Sequence, residues 1–407
     1  MTHVVFVAPR FLANTLRYVE AFASLTEAEV SLVSEDVEQK LPLRLRERIA
    51  GHYRVDSSLD ERQLVVATRA IQKGVGKVDR IAGVLEQLQL PLAGVRDRLG
   101  IEGMGREVTT RFRDKDRMKQ VLREAGVPVA KSALARSAAD VAAFVDEVGF
   151  PIVVKPVAGL GARSTHRIAD ADELALLPRL GVEPTAEQPV QVEEFVRARE
   201  HTCETVSIGG EPVWRSGTRY FPAPLEVLET PWIQYCVLLP REEDDPTFTR
   251  FHPINAAALS ALGMGTGISH MEWFLDGDRM LVNEVGARPP GVQIMPMMSL
   301  AHETDMVHAW AELVTFDRFR PPARKWAAGT AFFRGQGRGD RVRAVHGLER
   351  ALEEVGDAVV DARWPRPGDP RSSSYEGEGW AIVKHAHTDG AKHALSRLIE
   401  NVQVELG

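Results

Sequence analysis

Apolar and polar positions follow two different periods along this chain, and each change of period marks an element. His3–Ala8 is an apolar run closed by Pro9 and reads as a strand. Leu16, Val19 and Phe22–Ala23 follow at helical spacing, and Val30–Val33 is a second short apolar run. Strands alternating with helices predict an open α/β unit built on a parallel sheet at the N-terminal end. Further on, Met118, Val121, Leu122 and Ala125 form one stripe of a helix that Asp114 can cap and that Gly126 and Pro128 stop. Ser137 and Asp140 resemble a capping box opening a second helix, lined by Val141, Phe144, Val145 and Val148 and ended by Gly149. Strands are predicted at Pro151–Pro156 and Pro189–Val196, and the proline-rich, acidic Pro222–Pro246 segment is expected to include a long surface loop. Beyond a helix at Thr304–Val314 the pattern changes. Strands at Thr330–Phe333, Ala358–Asp361 and Trp380–Val383 mix with helices at Leu348–Val355 and Ala391–Ile399, and Arg363–Gly379 reads as a loop.

Composition narrows the function classes. At 407 residues the chain can bury a sizeable core over two or three domains. Its net charge of −7 offers no basic surface for nucleic acid. Two cysteines, Cys203 and Cys236, argue against a disulfide framework or a cysteine-based zinc site. No apolar run approaches the roughly 20 residues that span a bilayer. The start of the chain reads as a first strand and not as a signal peptide, so a cytoplasmic location and no membrane partner are expected.

The candidate chemistry centres on Ile268–Gly291, ISHMEWFLDGDRMLVNEVGARPPG. Two apolar runs flank an Asp-Gly-Asp turn, and each carries a glutamate, Glu272 and Glu284, with Arg288 downstream. Carboxylates inside apolar strands are costly unless a cation compensates them. Two oxygen donors and a guanidinium point to a divalent metal holding phosphates. Side chains alternate along a strand, so the two glutamates share a face only if the connecting loop has an odd residue count. A loop of three or five residues is therefore expected. Asn283, next to Glu284, should point to the opposite face.

Upstream, Lys155 ends the strand PIVVKP, and the loop after it carries Gly159, Gly161 and Ser164. Glycines let backbone N–H groups approach an anion, and the serine adds a donor. The spacing imitates a dinucleotide-binding fingerprint, but no helix begins inside the loop, and Arg167–Ile168 is strand-like. A flap between antiparallel strands fits better, with a plain surface turn as the alternative. Lys115 can supply a second positive charge over a triphosphate. Backbone groups of Glu193, Glu194, Phe195 and Val196 can meet an adenine edge, where side-chain identity matters little. Glu200 and Glu204 can accept hydrogen bonds from ribose hydroxyls. His270 either touches a substrate or packs, and Arg219 is a substrate candidate by its nearness in the chain.

In this order the residues resemble the ATP-grasp superfamily of carboxylate–amine ligases, most closely the L-amino acid ligase group. The resemblance implies an ATP-grasp fold, α/β and α+β, with an N-terminal preATP-grasp (Rossmann-like) domain at 1–110. It implies a lid subdomain with its preceding helix at 111–190, a central catalytic domain at 191–320, and a C-terminal β-rich α/β segment at 321–407. It further implies ATP with Mg²⁺ or Mn²⁺ on Glu272 and Glu284, Lys115 and Lys155 on phosphates, adenine on Glu193–Val196, and ribose on Glu200. Arg288 would neutralise an acyl phosphate, with Lys155 beside it in catalysis. The partners would be a small-molecule carboxylate and an amine, at least one an amino acid, joined with release of ADP and phosphate. A homodimer through the N-terminal half is common in that superfamily. Many members have asparagine two residues after the second glutamate, whereas Gly286 stands here. An ATP-grasp enzyme of purine or cofactor synthesis, and a non-catalytic nucleotide-binding homologue, are the alternatives; the intact Lys155, Glu272, Glu284 and Arg288 count against the second.

Overall fold

The computed structural model describes residues 1–157, 165–230 and 232–407. At the N-terminus, β1 (Thr2–Val7), β2 (Ala28–Ser34), β3 (Gly51–Arg54) and β4 (Arg80–Ala82) form a parallel sheet in the order β3-β2-β1-β4. Val4 to Val7 are fully buried, as expected of a strand covered on both faces. The Ala13–Ala23 helix joins this sheet to the rest of the molecule. Phe22 stacks on Phe6 at 4.7 Å and meets the edge of Trp310, on the Met306–Phe316 helix, at 5.6 Å.

A small antiparallel sheet follows, made of β5 (Ser132–Ala135), β6 (Ile152–Pro156), β7 (His166–Ile168) and β8 (Val190–Glu194) in the order β5-β8-β6-β7. Both caps form. Asp114 accepts from the Arg117 N–H at 2.9 Å and opens the Lys115–Glu124 helix; Ser137 Oγ accepts from the Asp140 N–H at 3.2 Å and opens the Ala138–Val148 helix. Val141 and Phe144 of the second helix pack on Ile152, Val154 and Val192 to form the core of this unit. Gly159, Gly161 and Ser164 lie outside the described residues.

The largest element is an eight-stranded antiparallel sheet containing β9 (Arg199–Ile208), β10 (Glu211–Phe221), β11 (Tyr235–Leu239), β12 (Gly267–Asp276), β13 (Arg279–Gly286) and β14 (Ala327–Phe333). After β15 (Gly335–Gln336) and β16 (Val342–His346), the strands β17 (Val359–Arg363) and β18 (Gly379–His385) return to it, giving the order β13-β12-β9-β10-β11-β14-β18-β17. The last strand, β19 (Gln403–Leu406), pairs with β15 and β16 in a separate small sheet. The C-terminal strands thus extend the central sheet directly, across the boundary expected at residue 320. Besides its loop residues, the Pro222–Pro246 segment contains β11, an interior strand between β10 and β14 that was not expected. Its run YCVLL is apolar enough to be buried, and the prolines around it only break the chain on either side.

The β12–β13 hairpin closes through Gly277 and Asp278, with Asp276 opposite Arg279. Gly277, at φ +58°, takes the first central position of this two-residue turn, where glycine is favoured. The odd-length loop expected from the sequence is therefore absent. The register shifts instead inside the hairpin: Trp273 faces Val282, but Glu272 faces Glu284, so Asn283 is the extra residue of a β-bulge.

Candidate active site

The bulge decides how the site is built. Below it the hairpin alternates regularly. Met271, Trp273 and Leu275 are buried in a core with Phe251 and Val282, while His270, Glu272 and Phe274 line a cavity. The extra residue restores Glu284 to the cavity face and brings Asn283 with it. Asn283 was expected to turn away; it lines the same wall, near Glu200. Two adjacent polar residues, Asn283 and Glu284, interrupt the apolar run and are the sequence trace of the bulge.

The cavity holds about 1760 Å³ and lies between the small sheet, the central sheet and the N-terminal sheet. A single small-molecule pocket spans roughly 300–1,000 Å³, so a nucleotide and further substrates fit together. The lid side supplies Lys155, Thr165, Arg167 and Phe195, with Arg167 over the Phe195 ring at 5.5 Å. The floor supplies Glu200, Glu272, Asn283 and Glu284.

Each lysine is held by a carboxylate. Lys115 Nζ donates to Glu284 Oε1 at 2.6 Å, and Lys155 Nζ donates to Glu193 Oε2 at 2.9 Å. Burial would raise the Glu284 carboxyl, but Lys115 and Lys155 outweigh it and hold its pKa at about 2. Burial likewise opposes charge on Lys155, and Glu193 and Glu284 keep it protonated above its usual range. Glu193 corrects one expectation. Its side chain is buried at 4 % exposure and acts as the counter-ion of Lys155, so its identity matters. Lys119, unsuspected in the sequence, lies behind it at 3.8 Å and donates to the Val282 carbonyl at 3.3 Å. Burial depresses Lys119 to about 8.

The end of β8 is partly committed. The Glu194 N–H donates to the Lys131 carbonyl and the Phe195 N–H to the Pro151 carbonyl. Among the described residues the Val196 N–H has no backbone acceptor. Glu200 is buried, and burial first, then the Glu272 charge, pushes its carboxyl well above the usual range.

His270 sits between Glu204, 2.8 Å from its Nδ1, and Glu272, 3.6 Å from its Nε2. Burial disfavours the imidazolium, but the two carboxylates outweigh it and lift its pKa to about 9. Glu204 lies behind His270, fully buried, and accepts from Thr202 Oγ1 at 2.9 Å. Arg219 is directed elsewhere. It stands opposite His201 on the core face, pairs with Asp245, and lies over the Phe248 ring at 5.5 Å.

Arg288 is fixed from the N-terminal unit. Glu86, 6 % exposed, pairs with both Arg288 and Arg113, and Arg288 also donates to the Pro289 carbonyl at 2.8 Å. The sequence offered only an isolated acid between Leu85 and Leu88 as a hint. At Gly286 a Cβ would lie 3.7 Å from Glu86 Oε2 and 3.8 Å from Arg288 Cγ, ordinary contact distances, so the position adjoins that pair.

Glu272, Glu284 and the Asn283 amide are hard oxygen donors on one wall, which suits a divalent cation that takes its remaining ligands from phosphates. Among the described residues no three or more His, Cys, Asp or Glu side chains are grouped to hold an ion alone. No helix among them is long and apolar enough to cross a membrane.

A lid sheet over a carboxylate-bearing antiparallel sheet, with lysines from two elements between them, defines a nucleotide-clamping fold. Residues 120–292 match the family model of the ATP-grasp domain. The whole chain superimposes on the crystal structure of an L-amino acid ligase from Bacillus licheniformis with a TM-score of 0.77, at 19% identity, covering 100% of this chain and 99% of that one. In sequence it is 26% identical over 259 residues to the L-arginine-specific L-amino acid ligase of Bacillus subtilis, across 61% of this chain and 60% of that protein. It is also 26% identical over 339 residues to the uncharacterized protein y4rH of Sinorhizobium fredii, across 81% of this chain and 69% of that one. Over residues 120–292 the chain is thus similar to the ATP-grasp domain family, and its relatives include proteins named as ligases.

Proposed function

We propose that this protein is an ATP-dependent ligase that joins a carboxylate to an amine, with an amino acid as at least one of the two, in the cytoplasm. The observation that carries the reading is the pairing of Glu272 with Glu284 across the bulge, facing Lys115, Lys155 and Arg288 around one cavity. The likeness to two L-amino acid ligases supports the substrate class.

In this reading the adenine edge meets the Glu194 carbonyl and the Val196 N–H, and Glu200 accepts from the ribose. Lys155 and Lys115 leave their carboxylates for the phosphates. Glu272, Glu284 and Asn283 would hold Mg²⁺, which supplies charge neutralisation on the transferring phosphoryl group. A carboxylate oxygen attacks the γ-phosphorus, the bond to the β-phosphate oxygen breaks, and ADP leaves. The amine nitrogen then attacks the acyl carbon, the carbon–oxygen bond to phosphate breaks, and phosphate departs as the nitrogen sheds its proton. Arg288, held by Glu86, faces the charge that builds on the acyl phosphate. Such a reaction relies on positioning and charge stabilisation, so no nucleophilic side chain is required.

Amino acids supplied in pairs with MgATP test the reading by phosphate release and product mass. ADP, phosphate and a product heavier by one acyl group are expected. AMP and pyrophosphate would overturn the acyl-phosphate route, and ATP binding indifferent to Mg²⁺ with no turnover on any pair would overturn the ligase.

A further inference from the structure

Beyond the nucleotide half, the cavity continues between the N-terminal helix, the Ile294–His302 helix and the C-terminal loop Ser373–Glu376. Its acidic side chains differ in one respect. Glu20 pairs with Arg44, Glu86 with Arg113 and Arg288, and Glu229 with Arg167; Asp305 caps the Met306–Phe316 helix. The half-buried Glu376, like the exposed Glu226 on the same rim, has no hydrogen bond or ion pair to its carboxylate among the described residues, and burial pushes its pKa up against the charge of Arg363. Its backbone is fixed, because the Glu376 N–H donates to Ser374 Oγ at 3.2 Å within a chain of serine turns.

A second group nearby is also unsatisfied. Tyr235, 2 % exposed and stacked on Phe332 at 4.6 Å, lines the same part of the cavity, and its hydroxyl has no partner. The Glu376 charge acts on that phenol. A buried hydroxyl without a partner costs about 1–3 kcal/mol. A cation seated against Glu376 supplies the donors that its carboxylate lacks, and it can also donate to the unpartnered Tyr235 oxygen. The adjoining residue, Tyr375, lies close enough to Arg288 for their charges to interact. This places the loop beside the group that faces the acyl phosphate.

We propose that Glu376, with the Tyr235 hydroxyl behind it, is the subsite that receives the ammonium group of the amine substrate. The inference rests on the ligase reading and assigns its second substrate to the C-terminal segment. Glu376 holds the amine as its ammonium beside the acyl carbon and accepts one of its protons, which frees the nitrogen lone pair to attack; the carboxylate activated in the first step does not use it. A neutral nucleophile has no need of this contact.

Hydroxylamine, uncharged at neutral pH, separates the two cases. With one accepted carboxylate and MgATP, the full-length protein is assayed for hydroxamate with hydroxylamine and for amide with an accepted amino acid amine. In Glu376→Gln the ratio of amide to hydroxamate formation should fall at least tenfold, mainly through KM for the amine. Tyr235→Phe should lower the same ratio by a smaller factor. Equal losses of hydroxamate and amide, or an unchanged KM for the amine, would overturn the assignment, and surviving hydroxamate formation shows that the variant is folded. Failure of the wild-type protein to form either product, with any acid, would instead refute the ligase reading.

Discussion

The two faces of the β12–β13 hairpin do opposite work within a few ångströms. On the core face Trp273 is fully buried, stacked on Phe251 at 4.1 Å and on His201 at 4.6 Å. On the cavity face His270, Glu272, Asn283 and Glu284 form a charged wall with little apolar packing. The first face gains stability by removing apolar surface from water. The second gathers like charges that the fold tolerates only because lysines and an imidazolium face them. Rigid packing on one side therefore holds a costly arrangement in place on the other.

Substitutions on each face should separate these roles. Glu284→Ala removes the wall's central carboxylate, and turnover should fall by about 10³-fold or more, the scale of losing a charge-stabilising group. Its urea unfolding midpoint should fall too, because Lys115, buried at 8 % exposure, loses its partner. Trp273→Ala should cost about 3–5 kcal/mol of stability in urea unfolding while leaving every side chain of the cavity wall in place. Near-normal turnover in the first variant, or an unchanged unfolding midpoint in the second, would break the comparison.

Most of this hairpin was legible in the sequence. The strands, the turn and the placing of Glu272, Glu284 and Arg288 followed from apolar runs around polar residues. The parity argument failed because a period of two carries no record of a bulge; the turn has an even count and Asn283 supplies the missing residue. Contacts distant along the chain were not legible at all. Glu86 reaches Arg288 across 202 positions, and no local pattern connects them. Lys119 drew no notice, since its burial depends on β13 packing against that helix. Arg219 was a candidate only by its nearness to the motifs, and the strand's alternation sends it to the core face while the next residue, Tyr220, lines the cavity.

The bulge offers a finer test than either face. If Asn283 serves the cavity, Asn283→Ala should raise the Mg²⁺ concentration giving half-maximal turnover by about tenfold, the lower end for loss of a supporting metal contact. The unfolding midpoint should barely move. An unchanged Mg²⁺ requirement would mean that Asn283 only lines the wall near Glu200.

The smallest effect concerns pH and belongs to the charged face alone. In the folded protein His270 keeps its proton up to about 9, because Glu204 and Glu272 outweigh the burial that opposes its charge, whereas the ordinary value is 6.5. A raised folded pKa means that the folded state binds the proton more tightly than the unfolded chain. The resulting stabilisation is fully present below about 6.5 and is lost as pH rises through about 9. Glu284 behaves in the opposite sense. Its pKa of about 2 against an ordinary 4.5 gives stabilisation that is present above 4.5 and lost as pH falls toward 2. Unfolding midpoints measured between pH 6 and 9.5 should therefore decline in the wild type and decline less in His270→Gln, with the two curves parallel below pH 6. An equal decline in both proteins would show that the imidazolium is not held by its two carboxylates, and that the charged face is balanced by the lysines alone.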